Sequence, residues 1–515
     1  MCGAKLVKMI YKTLLFVSAI FGCCNCARIL AVMPTPSYSH QVTFQPLWKE
    51  LSLRGHQVTL LTTDVIKESN LINLTQIDLS FSYERWNKDI VKVTKSNSLF
   101  AMIDASMMYI EDQLSYPPVQ DLIKNESEHF DVAMIEFAMP AVLAFRERFK
   151  CPTILVTSMD TFTFMNYQMG NPVHPIVYPD SLLGLEDELK LIDRLHIIGY
   201  HIFMVTLSAL YTIPHQQNLI HTYFGSNYSS INDMMMNISL VLTNSDPIFH
   251  KVKPTLPNIV QIGGGIYRPT PDPLPEKIQK TLDSATQGFI YFSLGSNAKS
   301  KDLSKETQKV ILDTFAELPY VILWKFEEEG IIEKSENVIT SKWLPQLNVL
   351  KHPHIKLFIT QGGLQSMDEA IYSHVPMLGM PVFADQQFNI KKMVKKGFGL
   401  YIDYKKLTKE EFKEKILEVI GNSRYKNKVK ELADLAQDQQ INSLEKAVWW
   451  TEYVIRHKGA YHLRSPMLDI PIYQYLLLDV IAVLLIVVAL SLGILSFVIK
   501  CIITKFCKKR KLKVN

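Results

Sequence analysis

Two polar loops in the stretch 341–389 have residue types suited to binding a phosphate and a sugar. Gly362 and Gly363 stand between a predicted strand and a predicted helix, so their backbone N–H groups would be free at the positive end of that helix. Asp385 and Gln386 follow the next predicted strand. Because ligands bind at the carboxyl ends of strands in open α/β sheets, this spacing predicts a nucleotide-sugar site. A lone Gly-Gly pair would be weaker evidence, since a tight turn without a ligand has the same composition.

The same stretch resembles the signature of the membrane-bound animal UDP-glycosyltransferases, the UDP-glucuronosyltransferase family. It matches the pattern W-x-P-Q, H-x-x-x-x-F-x-T-x-G-G, S-x-x-E-A and D-Q-x-x-N, and its TQGGLQS form resembles the arthropod branch. The resemblance implies contacts to uracil, uridine, diphosphate, ribose and sugar. In that order the residues are Trp343, Gln346, the glycine turn Gly362-Gly363 with Ser366, Glu369, and Asp385 with Gln386.

One position inside the signature departs from the family pattern. Gln361 stands where many members carry a histidine that contacts the diphosphate, and glutamine can donate a hydrogen bond but no charge. A second strand, turn and helix in this half has Ser293 and Ser296 at its turn, which repeats the anion-binding arrangement. The resemblance implies that this turn also lines the donor cleft, so both serines are further donor-binding candidates.

His40 is the candidate general base. It follows the first predicted strand at the start of a helix, where a histidine considered alone is more often structural. The resemblance implies that His40 takes the proton of the acceptor hydroxyl while a carboxylate orients the ring and stabilises its charge. Family members have an aspartate for this purpose, and Glu136 occupies its place here. Asp131 is the alternative partner, but it stands at the start of the strand and so at the wrong end.

Composition and charge limit the other functions. The chain has 515 residues, of which 48% are hydrophobic and 20% charged, as expected for two globular domains plus membrane segments. Seven positive charges fall in the last sixteen residues, so the net charge of +5 gives no indication of nucleic-acid binding. No metal-binding cluster is apparent, and the resemblance implies no cofactor, the UDP-sugar being a co-substrate. Cys151 is the only cysteine between residues 27 and 500, which excludes an intrachain disulfide there.

Both ends of the chain predict membrane targeting. Residues 1–26 place lysines ahead of an apolar run and indicate a cleaved secretory signal, with a retained anchor as the alternative. A transmembrane helix at 476–499 precedes the basic tail 500–515, which predicts a single-pass type I protein with both domains lumenal. Lysines three and five from the end resemble an endoplasmic reticulum retrieval signal. The predicted glycosylation sites are Asn73, Asn125, Asn227 and Asn237.

The predicted fold class is α/β, with two Rossmann-like doubly wound domains of the GT-B type and a C-terminal transmembrane helix. The predicted parts are an acceptor-binding domain at 27–262, a Gly- and Pro-rich linker at 263–275, a UDP-sugar-binding domain at 276–437, and helices at 438–475 that pack back on the first domain. Segments 67–130 and 158–238 show poor periodicity and many methionine and aromatic residues, which suit an apolar acceptor pocket or an ordinary core.

The predicted reaction is the inverting transfer of a hexose from a UDP-sugar to a hydroxyl of a small lipophilic acceptor. Asn244 stands where members that use UDP-glucuronic acid have an arginine associated with the sugar carboxylate, which favours UDP-glucose. Two alternatives stay open: UDP-glucuronic acid as donor, or a catalytically silent chain that binds the donor as the partner of another transferase. A homo- or hetero-oligomer is compatible with each. A role in detoxification and a dedicated biosynthetic step would look alike in the sequence.

Overall fold

The computed structural model describes residues 26–511 except 97, 138, 172, 181, 182, 184, 186–188, 251, 265, 267–272, 297, 329–333, 383 and 384. The predicted signal, apart from Cys26, and most of the predicted linker lie outside the described residues. Within them the chain forms two parallel sheets, each covered by helices on both faces. The predicted α/β class with two doubly wound domains is confirmed.

The first sheet has the strand order β3-β2-β1-β4-β5-β6-β7. Its strands are β1 Arg28–Met33, β2 Gln57–Thr62, β3 Leu74–Asp78, β4 Val132–Glu136, β5 Thr153–Thr157, β6 Leu240–Thr243 and β7 Ile259–Gln261. Alternate residues of β1 enter opposite cores, Ile29 and Ala31 on one face and Leu30 and Val32 on the other. Apolar residues at every position are required because both faces are buried. The order reverses between β1 and β4, where a cleft opens at the carboxyl edge.

The second sheet has the order β10-β9-β8-β11-β12-β13. Its strands are β8 Phe289–Ser293, β9 Val321–Lys325, β10 Val338–Ser341, β11 Ile355–Thr360, β12 Met377–Gly379 and β13 Gly399–Tyr401. All pairs are parallel, and the order reverses between β8 and β11. The loops after these two strands therefore lie side by side at the carboxyl edge.

The helices fill the connections between strands. They are α1 Tyr38–Leu53, α2 Ser82–Ser96, α3 Leu99–Ser115, α4 Pro117–Lys124, α5 Ala144–Phe149, α6 Thr163–Gln168, α7 Leu191–Leu207, α8 Ile213–Tyr223, α9 Ile231–Met236, α10 Glu276–Asp283, α11 Lys305–Ala316, α12 Gln346–Lys351, α13 Leu364–Tyr372, α14 Gln386–Lys396, α15 Lys409–Gly421, α16 Ser423–Gln437, α17 Ser443–Arg456, α18 Ile472–Tyr475 and α19 Leu478–Lys511. Segments 67–130 and 158–238, whose sequence periodicity is poor, are thus largely helical.

The C-terminal part of the chain returns to the first domain. Helix α17 packs against α1 and contributes Ala447, Val448 and Val454 to a core of the first sheet. Arg54 at the end of α1 forms an ion pair with Glu445 of α17. The first domain is therefore built from two separate parts of the sequence.

Two helical segments are long and apolar enough to cross a membrane, judged by length and composition over the described residues. One is Leu478–Phe506, with 29 residues and none of its apolar window buried. The predicted transmembrane segment falls largely within it. The other, Leu191–Tyr223, consists of α7 and α8 joined by a π-helical stretch, and only 11% of its window is buried. Both segments therefore expose apolar side chains.

Candidate active site

His40 and Glu136 meet at the reversal point of the first sheet. His40 lies in the first turn of α1, and Glu136 is the last residue of β4, next to β1. His40 Nδ1 and Glu136 Oε1 are 2.6 Å apart, and Glu136 Oε2 accepts a hydrogen bond from the Thr35 backbone N–H at 3.1 Å. The Glu136 side chain is 2% exposed and that of His40 24%. A buried carboxylate holding Nδ1 leaves Nε2 as the proton acceptor.

The turn that precedes His40 is fixed by side-chain hydrogen bonds of Gln41. Gln41 donates from Nε2 to the carbonyl oxygens of Met33 and Thr35, and its Oε1 accepts from the Thr62 hydroxyl. These bonds fix the turn between β1 and α1, and so the direction in which His40 leaves it. The alternative partner, Asp131, lies at the opposite end of β4, where it accepts a hydrogen bond from the Arg28 backbone N–H at 2.7 Å.

Three of the predicted donor-binding side chains form one hydrogen-bonded group in the second domain. Gln346 donates from Nε2 to Ser366 Oγ at 3.0 Å and to Glu369 Oε2 at 2.7 Å. Its Oε1 accepts from the Tyr291 hydroxyl at 3.3 Å. These residues line a cavity of about 150 Å³ that Ser293, Ser296 and Trp343 also line. The cavity lies between the domains, because α1 of the first domain closes its other side.

Trp343 offers a ring to this cavity. The side chain is 55% exposed, and Tyr38 meets it edge-on with ring centroids 5.3 Å apart. Lys325 Nζ lies 5.0 Å from the centre of the Trp343 ring and donates a hydrogen bond to the Gly295 carbonyl. Burial lowers the pKa of Lys325. A large exposed ring beside a cation is suited to stacking on a base whose phosphates lie close by.

The glycine turn is shaped by close packing. Gly362 has φ of +84°, and a Cβ there would lie 2.6 Å from the Ile390 side chain, so a glycine is required. Gly363 begins α13 as its N-terminal cap residue. The Gln361 amide lies against Gly295 of the other turn, and its Oε1 is buried without a hydrogen-bond partner among the described residues. The Gln361 side chain therefore packs between the two turns, next to the cavity that Gly295 lines.

Asp385 and Gln386 lie at the start of α14. Asp385 Oδ2 accepts from Asn389 Nδ2 at 2.7 Å, and Gln386 Oε1 accepts from the Val382 backbone N–H at 2.8 Å. Burial raises the pKa of Asp385, while Asn389 and the more distant charge of His40 oppose that shift. The loop predicted to hold the sugar is thus within electrostatic reach of the candidate base. Asp385 lines a second cavity of about 80 Å³ between the domains.

Lys325, Tyr38 and Tyr291 were not predicted as site residues. Lys325 ends the apolar strand β9, and a single charge at the carboxyl end of a buried strand is a signal that could have indicated it. Tyr38 is the first residue of α1, two residues before His40, but its ring contacts the other domain, so only the tertiary structure reveals it. Gln365 is a similar case, since its Nε2 donates to the Ser158 carbonyl of the first domain at 2.9 Å.

The structure gives Asn244 a different position from the one that the donor argument assumed. Asn244 is 1% exposed, donates to the Ser158 carbonyl at 3.1 Å and accepts from the Gly264 N–H at 3.2 Å. It also hydrogen-bonds Asp368 on α13. Burial and the charge of Asp246 raise the pKa of Asp368 to about 8. Asn244 therefore belongs to the junction of the domains and lines neither of the two cavities.

The predicted glycan sites differ in accessibility. Asn125, Asn227 and Asn237 are exposed, whereas Asn73 is half-buried and donates to the Ser52 carbonyl at 3.2 Å. No group of three or more metal-ligating side chains occurs among the residues that the structure describes. Glycosylation at all four positions stays a prediction.

Comparison with known proteins assigns the family. The family model of UDP-glucoronosyl and UDP-glucosyl transferases matches residues 28–513. The chain is 32% identical over 503 residues to UDP-glycosyltransferase UGT5 of Dactylopius coccus, covering 96% of this chain and 94% of the relative. It is 33% identical over 512 residues to UDP-glucosyltransferase 2 of Dactylopius coccus, covering 97% and 98%. UDP-glucuronosyltransferase 2B1 of Rattus norvegicus is 28% identical over 514 residues, covering 94% and 93%.

The fold comparison agrees with this result. The crystal structure of the glycotransferase of kitacinnamycin superposes with a TM-score of 0.55 at 18% identity, covering 83% of this chain and 98% of that one. Two parallel-sheet domains with a cleft between their carboxyl edges are the GT-B arrangement. With a family match across nearly the whole chain and this fold, the protein belongs to the UDP-glycosyltransferase family and is a UDP-glycosyltransferase.

Proposed function

We propose that this enzyme transfers glucose from UDP-glucose to a hydroxyl of a small lipophilic acceptor, with inversion at the anomeric carbon. The observation that carries the proposal is the His40 and Glu136 pair, placed across the cleft from the loop of Asp385. A base at that point reaches an acceptor hydroxyl next to a sugar held by the second domain.

The chemistry is a single displacement. His40 Nε2 takes the proton of the acceptor hydroxyl, and Glu136 stabilises the imidazolium that forms. The acceptor oxygen forms a bond to the anomeric carbon while the bond from that carbon to the diphosphate oxygen breaks. The negative charge on the departing UDP is stabilised by the amides of the glycine turn, by Ser366 and by Lys325. Attack from the opposite face converts an α-linked donor into a β-glycoside.

A neutral sugar suits the charges around the cavity of Asp385. The described cations that line it are Lys253 and Lys392. Lys253 forms an ion pair of 2.8 Å with Asp160, and the charge of Lys392 acts on both Asp385 and Asp368. Since these cations already face carboxyl groups, a glucuronic acid carboxylate would meet little compensating charge. The name of the relative UDP-glucosyltransferase 2 points the same way.

The acceptor end of the cleft is apolar. A cavity of about 230 Å³ adjoins the one at Asp385, and both are lined by Phe162, Thr163 and Asp180. Helices α3 and α7 supply most of the remaining wall, including Met102, Ile103, Met204 and Val205. A volume near the lower limit for small-molecule sites suits a compact aglycone with a single polar end.

The proposed location is the endoplasmic reticulum membrane, with both domains in the lumen. The basic tail 500–515, which follows the apolar part of α19, supports this orientation, as does the exposure of three of the sequons. Sensitivity of the expressed protein to an endoglycosidase that removes high-mannose glycans would agree with lumenal domains. A chain that carries no glycan on any sequon would contradict them.

The donor is tested with membranes that express the chain or its His40→Ala variant, given a panel of phenols and labelled UDP-glucose or UDP-glucuronic acid. We expect glucosides from the parent chain only. Preference for UDP-glucuronic acid would overturn the donor assignment and leave the reaction type intact. UDP binding without product from either donor, across acceptors of several classes, would instead favour the silent-partner alternative.

A further inference from the structure

A further cavity, larger than the three described above, lies at the edge of the first sheet opposite to His40. It has a volume of about 740 Å³ and is called the basal cavity here. Its floor consists of the residues just before β4, β5 and β6, including Asp131 and Ser239. Helix α5 forms one wall, and the segment 455–464, which includes the last turn of α17, forms the other. Catalytic residues lie at the carboxyl ends of these strands, so the basal cavity is separate from the cleft.

Cations predominate among the charged residues of the basal cavity. Arg146, Lys150, Lys458 and Arg464 line it, against the carboxylates of Asp131 and Glu147. Each carboxylate already accepts a backbone hydrogen bond, Asp131 from Arg28 at 2.7 Å and Glu147 from Ser229 at 2.9 Å. Arg464 is satisfied by an ion pair of 2.7 Å with Asp469. The charge of Glu147 acts on Arg146, so the lining of the cavity keeps an excess of positive charge, to which Lys150 and Lys458 contribute.

Among these residues, Arg146 gives the strongest indication that an anion binds in the cavity. Its Nε is buried and has no hydrogen-bond partner among the described residues. Burial lowers the pKa of Arg146, but a guanidinium stays charged in proteins. A buried cationic donor without a partner is costly, and an anion in the cavity would remove that cost. Lys150 and Lys458 stand on opposite walls and form no ion pair with any residue that the structure describes.

We propose that the basal cavity binds a phosphate-bearing molecule, with the phosphate held by Arg146, Lys150 and Lys458. Three cationic groups on two walls suit a ligand with two negative charges, such as phosphate, better than a ligand with one carboxylate. Arginine also pairs with phosphate through two parallel hydrogen bonds. The volume lies within the range of small-molecule sites. The proposal does not depend on which sugar or acceptor the enzyme uses.

Two kinds of ligand carry such a phosphate group. A soluble phosphate ester is one. A phospholipid headgroup is the other, because the wall 455–464 continues through the short helix α18 into the membrane helix that begins at Leu478. The experiment therefore needs a soluble probe and a lipid probe.

The soluble probe is glycerol 3-phosphate, titrated by calorimetry into the full-length chain in a neutral detergent. Saturating UDP keeps the probe out of the donor cleft, and N-glycans are trimmed because Asn237 stands on the rim. The lipid probe is the same chain in phosphatidylcholine nanodiscs with or without phosphatidic acid, followed by the thermal unfolding midpoint. Binding of glycerol 3-phosphate indicates a soluble ligand, and a raised midpoint with phosphatidic acid alone indicates a lipid.

The variants Arg146→Gln and Lys458→Gln are each expected to weaken the observed binding about tenfold, since each removes one charge-assisted contact. Arg424→Gln, at an exposed arginine of the second domain, is the matched control and should bind as the parent does. Unchanged UDP affinity verifies that each variant is folded. If Arg146→Gln does not fold, Lys458→Gln carries the test alone. The proposal is overturned if neither probe acts in a saturable manner, or if the folded variants respond like the parent.

Discussion

The two domains place different kinds of groups at the edges that face each other across the cleft. The first domain contributes one tightly coupled pair, His40 with the buried Glu136, joined at 2.6 Å. The second domain contributes many contacts, including the bonds of Gln346 to Ser366 and Glu369 and the ring of Trp343. The proposed mechanism thus concentrates proton transfer in two side chains and spreads donor binding over several elements.

This difference has a kinetic meaning. Loss of either side chain of the pair should lower kcat and leave donor binding intact, since in the proposed mechanism the pair acts on the acceptor hydroxyl and not on the nucleotide. Loss of one contact among many should raise KM for the donor moderately, because the remaining contacts still hold it. Variants on the two sides of the cleft therefore separate chemistry from binding.

The largest effect is expected from His40→Ala. Without the imidazole the acceptor hydroxyl has no base, and kcat should fall by about 10³-fold while the affinity for UDP is unchanged. Initial rates and a UDP titration on the same preparation measure both quantities. His129→Ala, at an exposed histidine of the same domain, is the control. A comparable loss of UDP affinity in His40→Ala would show that the division between the domains is wrong.

Glu136→Gln should follow, with kcat lowered by about 10²-fold. An amide has a single acceptor oxygen, so it cannot both accept from Thr35 and stabilise a charged His40. The pH dependence of kcat should change in the variant, which a purely structural defect would not cause. Asp131→Asn tests the alternative partner and is expected to keep its rate per folded molecule. A larger loss in Asp131→Asn than in Glu136→Gln would reverse the assignment.

On the other side of the cleft, Trp343→Ala should raise KM for the UDP-sugar by about tenfold and change kcat little. The value corresponds to one stacked base at the lower end of measured stacking energies. Trp449→Ala, on α17 and 44% exposed, is a control for the loss of a surface tryptophan. If kcat fell instead of KM rising, Trp343 would have to act on the chemical step.

Lys325→Gln should have a smaller effect, a rise of about fivefold in the donor KM. The charge of Lys325 is expected to attract the diphosphate, so the difference from the parent enzyme should shrink as salt is added. Lys430→Gln, at an exposed lysine of α16, controls for the loss of one positive charge. Equal KM values for Lys325→Gln and the parent at low salt would remove Lys325 from the donor site.

The last effect is on stability instead of rate, and it concerns the junction between the domains. The pKa of Asp368 is raised to about 8 by burial and by Asp246, so folding takes up a proton between about pH 4 and that value. The stabilisation is complete at acidic pH and is lost as the pH rises through the folded pKa. Asp368→Asn should flatten this decline by up to about 1.4 kcal/mol per pH unit. Thermal unfolding midpoints across this window, with Asp313→Asn as control, measure it; equal slopes would contradict the prediction.

The sequence was sufficient for those parts of the molecule that depend on local pattern. Buried strands such as β1 and β8 are almost continuous apolar runs, and the Gly362 turn requires a glycine for steric reasons. The family resemblance added the pairing of His40 with Glu136, which lie on a helix and a strand far apart in the chain. Their separation of 2.6 Å could not be derived from composition or spacing.

Other features depend on tertiary contacts that leave no local trace. In the sequence, Asn244 is notable only as an amide where members that use UDP-glucuronic acid have an arginine. The structure shows that this amide hydrogen-bonds Ser158 and Gly264 at the domain junction. Helix α7 was not predicted because its exposed face is apolar, with Leu195 and Ile202 each 60% exposed, and so its sequence shows no clear polar stripe. The basal cavity exists only because the chain returns to the first domain after α16.

That return also determines the order in which the molecule is completed during its synthesis. One core of the first sheet includes Val448, Val454 and Ala460, which are translated after the whole second domain. Until they emerge, Phe44 and Trp48 of α1 lack part of their packing. The first domain is therefore translated first and finished last, and its nascent form must persist with an uncovered apolar face while more than a hundred further residues are added. Chaperones that bind the nascent chain would have their longest access to this enzyme through that face.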